Sequence, residues 1–175
     1  MTGDAPPALW RATVPVFLSA LDRISQILDK TEALPDPAAA LAQPPAEGML
    51  PAGQQIAMAV QFMLRIAFPL AGRRVPEPRA GLDLAGLRAR VRETRMLLGS
   101  LSPAEFKGAE TRTIRAQAGF AELEMPGEAF LHRFGLPNLH FHQAMAHVAL
   151  KRAGVPLGKA DFDGLHDYPE GFSFG

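Results

Sequence analysis

No cysteine occurs among the 175 residues of the sequence, and the formal net charge is zero because 18 basic side chains balance 18 acidic ones. Without thiols the chain cannot form disulfides, thiolate nucleophiles, zinc–thiolate sites or iron–sulfur clusters. Without net charge, no overall electrostatic field draws it to nucleic acid or to an anionic membrane. A hydrophobic content of 47% with 21% charged residues is typical of a globular protein rather than a disordered one.

Targeting signals and membrane spans are also lacking. Residues 1–10 contain no Lys or Arg, and Pro15 interrupts the first apolar stretch, unlike a secretory signal. Polar side chains interrupt the most apolar window, residues 56–70, which falls short of the ~20 apolar residues of a spanning helix. We therefore expect one soluble, cytoplasmic domain over residues 1–175 that binds neither membrane nor nucleic acid.

Apolar residues recur at spacings of three and four in four segments of the chain. This periodicity is typical of amphipathic helices, and the segments lie at about 13–32, 52–71, 82–98 and 128–153. In the last segment, Pro137 is expected to break or kink the helix. The apolar residues expected to form its inner face are Phe134, Phe141, Met145 and Val148.

The connections between these segments are rich in glycine and proline, and one of them carries a different pattern. Two short, partly alternating runs flank Gly119 and predict a two-stranded hairpin at about 111–115 and 120–124. The first two connections are longer than a tight up-down bundle requires, so at least one is expected to cross over the bundle. Together these patterns predict an all-α fold, a four-helix bundle with a small β-hairpin inserted before the last helix.

All five histidines lie in the last third of the chain, which suggests a metal site because imidazole is the commonest metal ligand. Their spacing argues against one. His140 and His147 share a helix face but lie about 10 Å apart along its axis, and His142 and His147 diverge by roughly 140°. The motifs HxxxH and HExxH do not occur. The histidines by themselves therefore predict no metal ligands and no cofactor, with a divalent metal kept as the alternative.

Asn138 and His142 form a separate pair, spaced i, i+4 at the edge of the expected inner face. Buried polar side chains must find hydrogen-bond partners, and Gln55 on the second helix could supply one. One interpretation is a polar cluster that lines a pocket, with Gln55, Asn138 and His142 as ligand-binding residues and His142 as the only obvious acid–base group. The other is a satisfied core network that fixes the register of the helices.

Arginine is concentrated in the middle of the chain, where Arg88, Arg92 and Arg95 share one side of the third predicted helix. That side is expected to face solvent. Guanidinium groups also suit phosphate or carboxylate recognition, but such a row is more often a solvated face.

Two pieces of the sequence carry a family resemblance. One is Leu136-Pro137-Asn138 with Phe141-His142, and the other is Gly154-Val155-Pro156-Leu157-Gly158-Lys159, ahead of Asp161 and Gly164. With the early stretch Val14-Pro15-Val16-Phe17-Leu18, they resemble a bacterial family known only as domain of unknown function nineteen ninety-three, which is placed in the DinB-like superfamily of four-helix bundles. The resemblance covers nearly the whole chain and implies that fold.

The resemblance also bears on the site. Many DinB-like proteins bind a divalent metal through a His on the second helix and a His-x-x-x-His on the fourth, and some are thiol-dependent transferases or isomerases. Here Gln55 is the nearest inward polar residue of the second helix, and Asn138-x-x-x-His142 stands where two histidines would be expected. One imidazole with two amides is a poor donor set for a tightly held transition metal.

Three functions remain open at this point. The leading prediction is a small-molecule-binding bundle with a degenerate metal site, lined by Gln55, Asn138 and His142. The second is a metal-dependent DinB-type transferase or hydrolase that uses His142. The third is a non-catalytic structural or interaction protein. A homodimer formed through bundle helices is the expected assembly.

Overall fold

The computed structural model of the chain describes residues 5–77, 81–169 and Phe172. The domain predicted over residues 1–175 therefore includes termini that lie outside the described residues. The helices, in chain order, are α1 (Ala8–Arg11), α2 (Val14–Glu32), α3 (Pro37–Ala42), α4 (Ala52–Leu70), α5 (Leu84–Gly99), α6 (Gly127–Phe130), α7 (Leu136–Arg152) and α8 (Lys159–Asp163). The strands are β1 (Thr113–Ala118) and β2 (Ala121–Pro126), which pair antiparallel with Thr113 opposite Pro126 and Ala118 opposite Ala121. The predicted helical bundle with a hairpin ahead of its last long helix is confirmed.

The four long helices α2, α4, α5 and α7 form the bundle, and contacts at their ends give its topology. A methyl group placed on Gly53, at the start of α4, would lie 3.2 Å from the Leu82 carbonyl oxygen, just ahead of α5. Arg73, just after α4, donates to the Ser100 carbonyl at 3.2 Å, just after α5. The helices α4 and α5 therefore run parallel, and the chain between them must return along the bundle. The predicted crossover is confirmed.

Ion pairs join α2 to α5 and show that these two helices are antiparallel. Arg88 donates to both Asp29 and Glu32 at 2.7 Å, and Arg95 donates to Asp22 at 2.5 Å. The side of α5 predicted to face only solvent therefore faces acidic side chains of α2. Each such surface pair contributes only about 0.2–1 kcal/mol to stability.

The central helix of the bundle is α4. Of its 19 residues, 14 are buried, and it packs most extensively against α7 and α5. A helix that is apolar on nearly every side is typical of a protein core. Within the described part of the chain, neither this helix nor any other is long and apolar enough to cross a membrane.

The last long helix is preceded by a change of pitch. A π-helical turn, Leu131–Gly135, links α6 to α7, so the helical path continues instead of breaking near Pro137. In a regular α-helix, the proline ring would clash with the carbonyl four residues earlier. The wider turn just ahead of Pro137 relieves that clash. A methyl group on Gly135 would lie 2.7 Å from Cγ1 of Ile66, so this glycine allows α7 to approach α4 closely.

The π-helical turn also changes the face that α7 presents to the core. The buried residues of α7 are Leu139, Ala146, Ala149 and Leu150. Phe141 and Val148, both predicted to face inward, are 48% and 42% exposed. A π-helical turn contains one more residue than an α-helical turn. Apolar positions counted onward from Phe134 are therefore rotated by roughly 100° about the helix axis once the chain has passed the turn. The predicted inner face is therefore wrong at Phe141 and Val148, while Met145 is half-buried.

Two small elements attach to the bundle through cationic side chains. Arg65 of α4 donates to the Gln117 carbonyl of β1 at 2.9 Å. Lys30 of α2 binds Asp161 of α8 at 2.6 Å, and α8 packs against both α2 and α7. The hairpin is thereby attached to α4, and α8 to α2 and α7.

Candidate functional site

The first turn of α4 and the middle of α7 bring Gln55 and His142 together. Gln55 is 1% exposed, and its Oε1 lies 2.7 Å from Nδ1 of His142. Gln55 Nε2 donates to the Leu50 carbonyl at 3.2 Å, which orients the amide so that Oε1 is the acceptor toward the ring. The proton of the neutral imidazole therefore sits on Nδ1, and Nε2 is left as a lone-pair acceptor. The predicted contact between Gln55 and His142 is confirmed.

Aromatic rings hold the imidazole of His142 in place. It stacks on Phe62 of α4 with 5.5 Å between ring centroids, and Phe141 approaches it edge-on at 5.3 Å. The side chain as a whole is half-buried. No described residue forms a hydrogen bond with Nε2 of His142. In the described part of the chain, the one buried side-chain polar atom without a partner belongs to a different residue, so Nε2 of His142 is not buried. This nitrogen is therefore accessible from solvent.

Arg65 adds a positive charge beside the imidazole. Its guanidinium carbon lies 4.4 Å from the centroid of Phe62, so Phe62 contacts both Arg65 and His142. Burial lowers the pKa of His142, and the charge of Arg65 lowers it further. The ring is therefore mainly neutral at pH 7, next to a guanidinium that stays charged. We refer to Gln55, Phe62, Arg65 and His142 as the imidazole cluster.

The sequence patterns did not point to Arg65 as part of this cluster. It is a charged residue on a helix whose buried residues are mainly apolar. The sequence feature that could have identified Arg65 is its i, i+3 spacing from Phe62, because such spacing lets a guanidinium lie over an aromatic ring on the same helix. Only the packing of α7 and β1 against α4 places His142 and Gln117 beside that pair.

Asn138, the third predicted ligand-binding residue, lies one turn before His142 on α7. Its Nδ2 donates to the Phe134 carbonyl at 2.7 Å, an acceptor in the π-helical turn. The structure therefore joins Gln55 directly to His142 and engages the amide nitrogen of Asn138 with the backbone instead. No sequence pattern indicated the π-helical turn, so this partner could not be predicted.

The donor set of the cluster does not fit a tightly held divalent metal. Gln55 Oε1 already accepts from the ring, and the Asn138 amide nitrogen is bonded to backbone, so Nε2 of His142 is the single strong donor. In residues 5–77, 81–169 and Phe172, no group of three or more His, Asp or Glu side chains could hold a metal ion. The residues present therefore do not make up a metal-binding triad.

Comparisons with known proteins agree with this architecture. The family model described as domain of unknown function (DUF1993) matches residues 9–163. Among solved structures, a crystal structure of a DinB family member from Shewanella denitrificans has a TM-score of 0.80 and 28% sequence identity, over 92% of this chain and 94% of that chain. No curated protein matches the chain. The fold likeness therefore extends over nearly the full length of both chains.

Proposed function

The chain belongs to the DUF1993 family, and from that premise we propose that it is a small-molecule-binding bundle with a degenerate metal site. Its binding centre is the imidazole cluster, with His142 as the hydrogen-bonding group and Asn138 at the edge of the site. Gln55 and Asn138 stand where the DinB-like resemblance implies metal-binding histidines. The site therefore binds through hydrogen bonds and charge rather than through a bound metal.

The observation that carries this proposal is the orientation of the His142 ring. Gln55 fixes the proton on Nδ1, and Nε2 remains accessible as an acceptor. A pair that served only to fix helix register would not need an accessible acceptor nitrogen beside a cation. Pocket polar groups of this kind orient a ligand by matching its donors and acceptors.

The chemistry of the cluster defines the class of ligand. Nε2 of His142 accepts a hydrogen bond, and the guanidinium of Arg65 favours an oxygen that carries negative charge. The exposed edge of Phe141 adds an apolar surface. A small molecule with an O–H or N–H donor next to a carboxylate or carbonyl oxygen, such as a hydroxy acid or a primary amide, matches the two polar features, and its carbon skeleton would contact Phe141.

A thermal-shift screen with hydroxy acids, primary amides and neutral heterocycles tests the proposal. We expect at least one compound to raise the Tm of the wild type and of His140→Ala, but not of His142→Ala. His140 is the matched control because it lies on the same helix and is exposed. If every stabilising compound also stabilises His142→Ala, the site is wrong.

Elemental analysis separates this function from a metal-dependent transferase or hydrolase of DinB type. For protein purified without an affinity tag, we expect well under one zinc, nickel or manganese ion per chain, because no three strong ligands converge. Roughly one ion per chain, lost in His142→Ala, would favour the metal-dependent enzyme instead.

A second candidate function is a non-catalytic interaction protein that forms a homodimer through bundle helices. The observation in its favour is the exposed apolar surface of α7, where Phe141 and Val148 are 48% and 42% exposed. Apolar side chains grouped on a surface often mark an interface. Light scattering during size-exclusion chromatography should then show a dimer that Val148→Glu converts to a monomer, and a monomeric wild type would reject this candidate.

A further inference from the structure

The ring of His142 is oriented in the way that a general base requires. Its Nδ1 lies 2.7 Å from Gln55 Oε1, which holds the ring proton on that nitrogen. Its Nε2 carries the lone pair, is accessible from solvent and is bonded to no residue in the described ranges. A histidine whose second nitrogen is held by another side chain is the arrangement that enzymes use to accept a proton.

The protonation state of His142 also suits this role. Burial lowers the pKa of the imidazole below its ordinary value of 6.5, and the charge of Arg65 lowers it further. A base must be unprotonated before it accepts a proton, so the ring is competent throughout the neutral pH range. The guanidinium of Arg65 favours negative charge on a molecule bound at the imidazole cluster. A reaction that moves a proton to Nε2 and leaves negative charge on the substrate therefore matches this site.

A histidine base acts either on a nucleophilic side chain of the protein or directly on a substrate. Within residues 5–77, 81–169 and Phe172, no hydroxyl group forms a hydrogen bond with His142, and the chain contains no cysteine. Aromatic rings, Phe62 and Phe141, pack against the imidazole instead. The surroundings of the ring thus favour direct removal of a proton from a bound molecule.

We propose that the imidazole cluster catalyses proton abstraction from the carbon next to the carbonyl group of an α-hydroxy ketone or aldehyde, with Nε2 of His142 as the base. This activity rests on the proposed function, because it uses the same site and a ligand with an O–H group next to a carbonyl oxygen. Gln55 is a positioning residue, since it acts through the ring of His142 without touching the substrate.

The proposed step is balanced within the substrate and the imidazole. Nε2 of His142 takes the proton, the electrons of the C–H bond form the C=C bond of an enediolate, and the carbonyl oxygen gains the negative charge. The positive charge of Arg65 favours that oxygen. Return of a proton from the imidazolium to the same carbon restores the substrate. Its return to the neighbouring carbon, with transfer of the hydroxyl proton to the enediolate oxygen, gives the isomeric carbonyl compound.

Hydrogen–deuterium exchange of hydroxyacetone in D₂O, followed by ¹H NMR, tests the proposal. We expect the full chain to exchange the protons next to the carbonyl about a hundredfold faster than 4-methylimidazole at the same concentration. His142→Ala should lose this acceleration, whereas His140→Ala, an exposed position on the same helix, should retain it. Equal rates in the wild type and His142→Ala, or a wild type no faster than 4-methylimidazole, would overturn the proposal.

The variant Gln55→Glu tests positioning separately from packing, because the two side chains have nearly the same shape. A carboxylate beside Nδ1 stabilises the imidazolium, so the pH at which the exchange rate is half-maximal should rise above the wild-type value. A purely structural role for Gln55 would leave this midpoint unchanged. An unchanged midpoint in folded Gln55→Glu would therefore reject the assignment of Gln55 as the positioning residue.

Thermal melts with hydroxyacetone distinguish a failure of this activity from a failure of the proposed function. If hydroxyacetone raises the Tm of the wild type but not of His142→Ala, and no exchange is catalysed, the site binds without catalysis and only the present proposal is wrong. If hydroxyacetone is not exchanged and no compound of the thermal-shift screen depends on His142, both proposals are wrong.

Discussion

His142 and His147 lie on the same helix and are both half-buried, yet their Nδ1 atoms have different surroundings. That of His142 lies 2.7 Å from Gln55 Oε1, whereas that of His147 is buried without a partner. The neighbouring element makes the difference. Helix α4 presents a buried amide to the first ring, while α8 presents to the second an aromatic edge and a carboxylate that is already bound to Lys30.

In these two histidines, burial of the ring and hydrogen bonding of its nitrogens are independent of each other. Burial lowers the pKa of both histidines, so titration behaviour alone does not distinguish them. What distinguishes them is which ring nitrogen stays free and where it lies. In His142 the free nitrogen reaches solvent, and in His147 it is enclosed. The first arrangement suits a ligand that binds from an open surface, whereas the enclosed nitrogen of the second is not reached from solvent.

The largest effect is expected for Gln55→Ala. The substitution leaves His142 Nδ1–H and the Leu50 carbonyl without their partner and opens a cavity in the core. We expect the free energy of unfolding to fall by about 2–3 kcal/mol in urea denaturation. Gln54→Ala, at a neighbouring half-exposed position, is the control and should change stability by less than about 0.5 kcal/mol. Equal losses in the two variants would mean that the buried pair contributes nothing.

His142→Ala should have the next largest effect. It removes the ring stacked on Phe62 and strands the Gln55 oxygen, so we expect a loss of about 1–3 kcal/mol if the pair is structural. The exposed His140→Ala should change stability by less than about 0.5 kcal/mol. Thermal and urea melts measure both. A loss below about 0.5 kcal/mol would show that the stacking and the hydrogen bond of His142 do not stabilise the fold, whatever their part in ligand binding.

A smaller effect is expected from pH. The pKa of each histidine is lower in the folded chain than the ordinary value of 6.5, so the unfolded chain takes up protons first as the pH falls. Their contribution to stability is therefore fully present above pH 6.5 and is lost as the pH drops through 6.5 toward the folded pKa values. Urea melts between about pH 7.5 and 5.5 should show a shallower decline in His147→Leu than in the wild type. An identical decline would mean that His147 titrates alike in the folded and unfolded chains.

The smallest effect on global stability is expected for Lys30→Met. This variant removes the ion pair that fastens α8, in which the lysine is 40% and the aspartate 14% exposed, so we expect a loss of about 1 kcal/mol. Hydrogen exchange should nevertheless become faster in α8 while it stays unchanged in α4. Unchanged exchange in α8 would show that apolar contacts alone hold it against α2 and α7.

Much of the fold was predictable because its signals are local. Apolar spacing predicted the four long helices, and the runs around Gly119 predicted the hairpin, with strands that the structure places at Thr113–Ala118 and Ala121–Pro126. The residues that determine these elements lie within a turn or two of one another or obey a simple periodicity. The sequence also named Gln55 and Asn138 as candidate partners of His142, but only the packed bundle decided between them.

The remaining features depended on tertiary structure. The π-helical turn changed the phase of α7, exposed Phe141 and gave the Asn138 amide a backbone acceptor. The sequence predicted a crossover in at least one of the first two connections, and only the structure showed that it lies between α4 and α5, which run parallel. Sequence by itself determined the helices and the polar residues available to them. Tertiary packing alone decided which of those residues gained a partner, because a hydrogen bond between distant segments depends on which faces the whole bundle brings together.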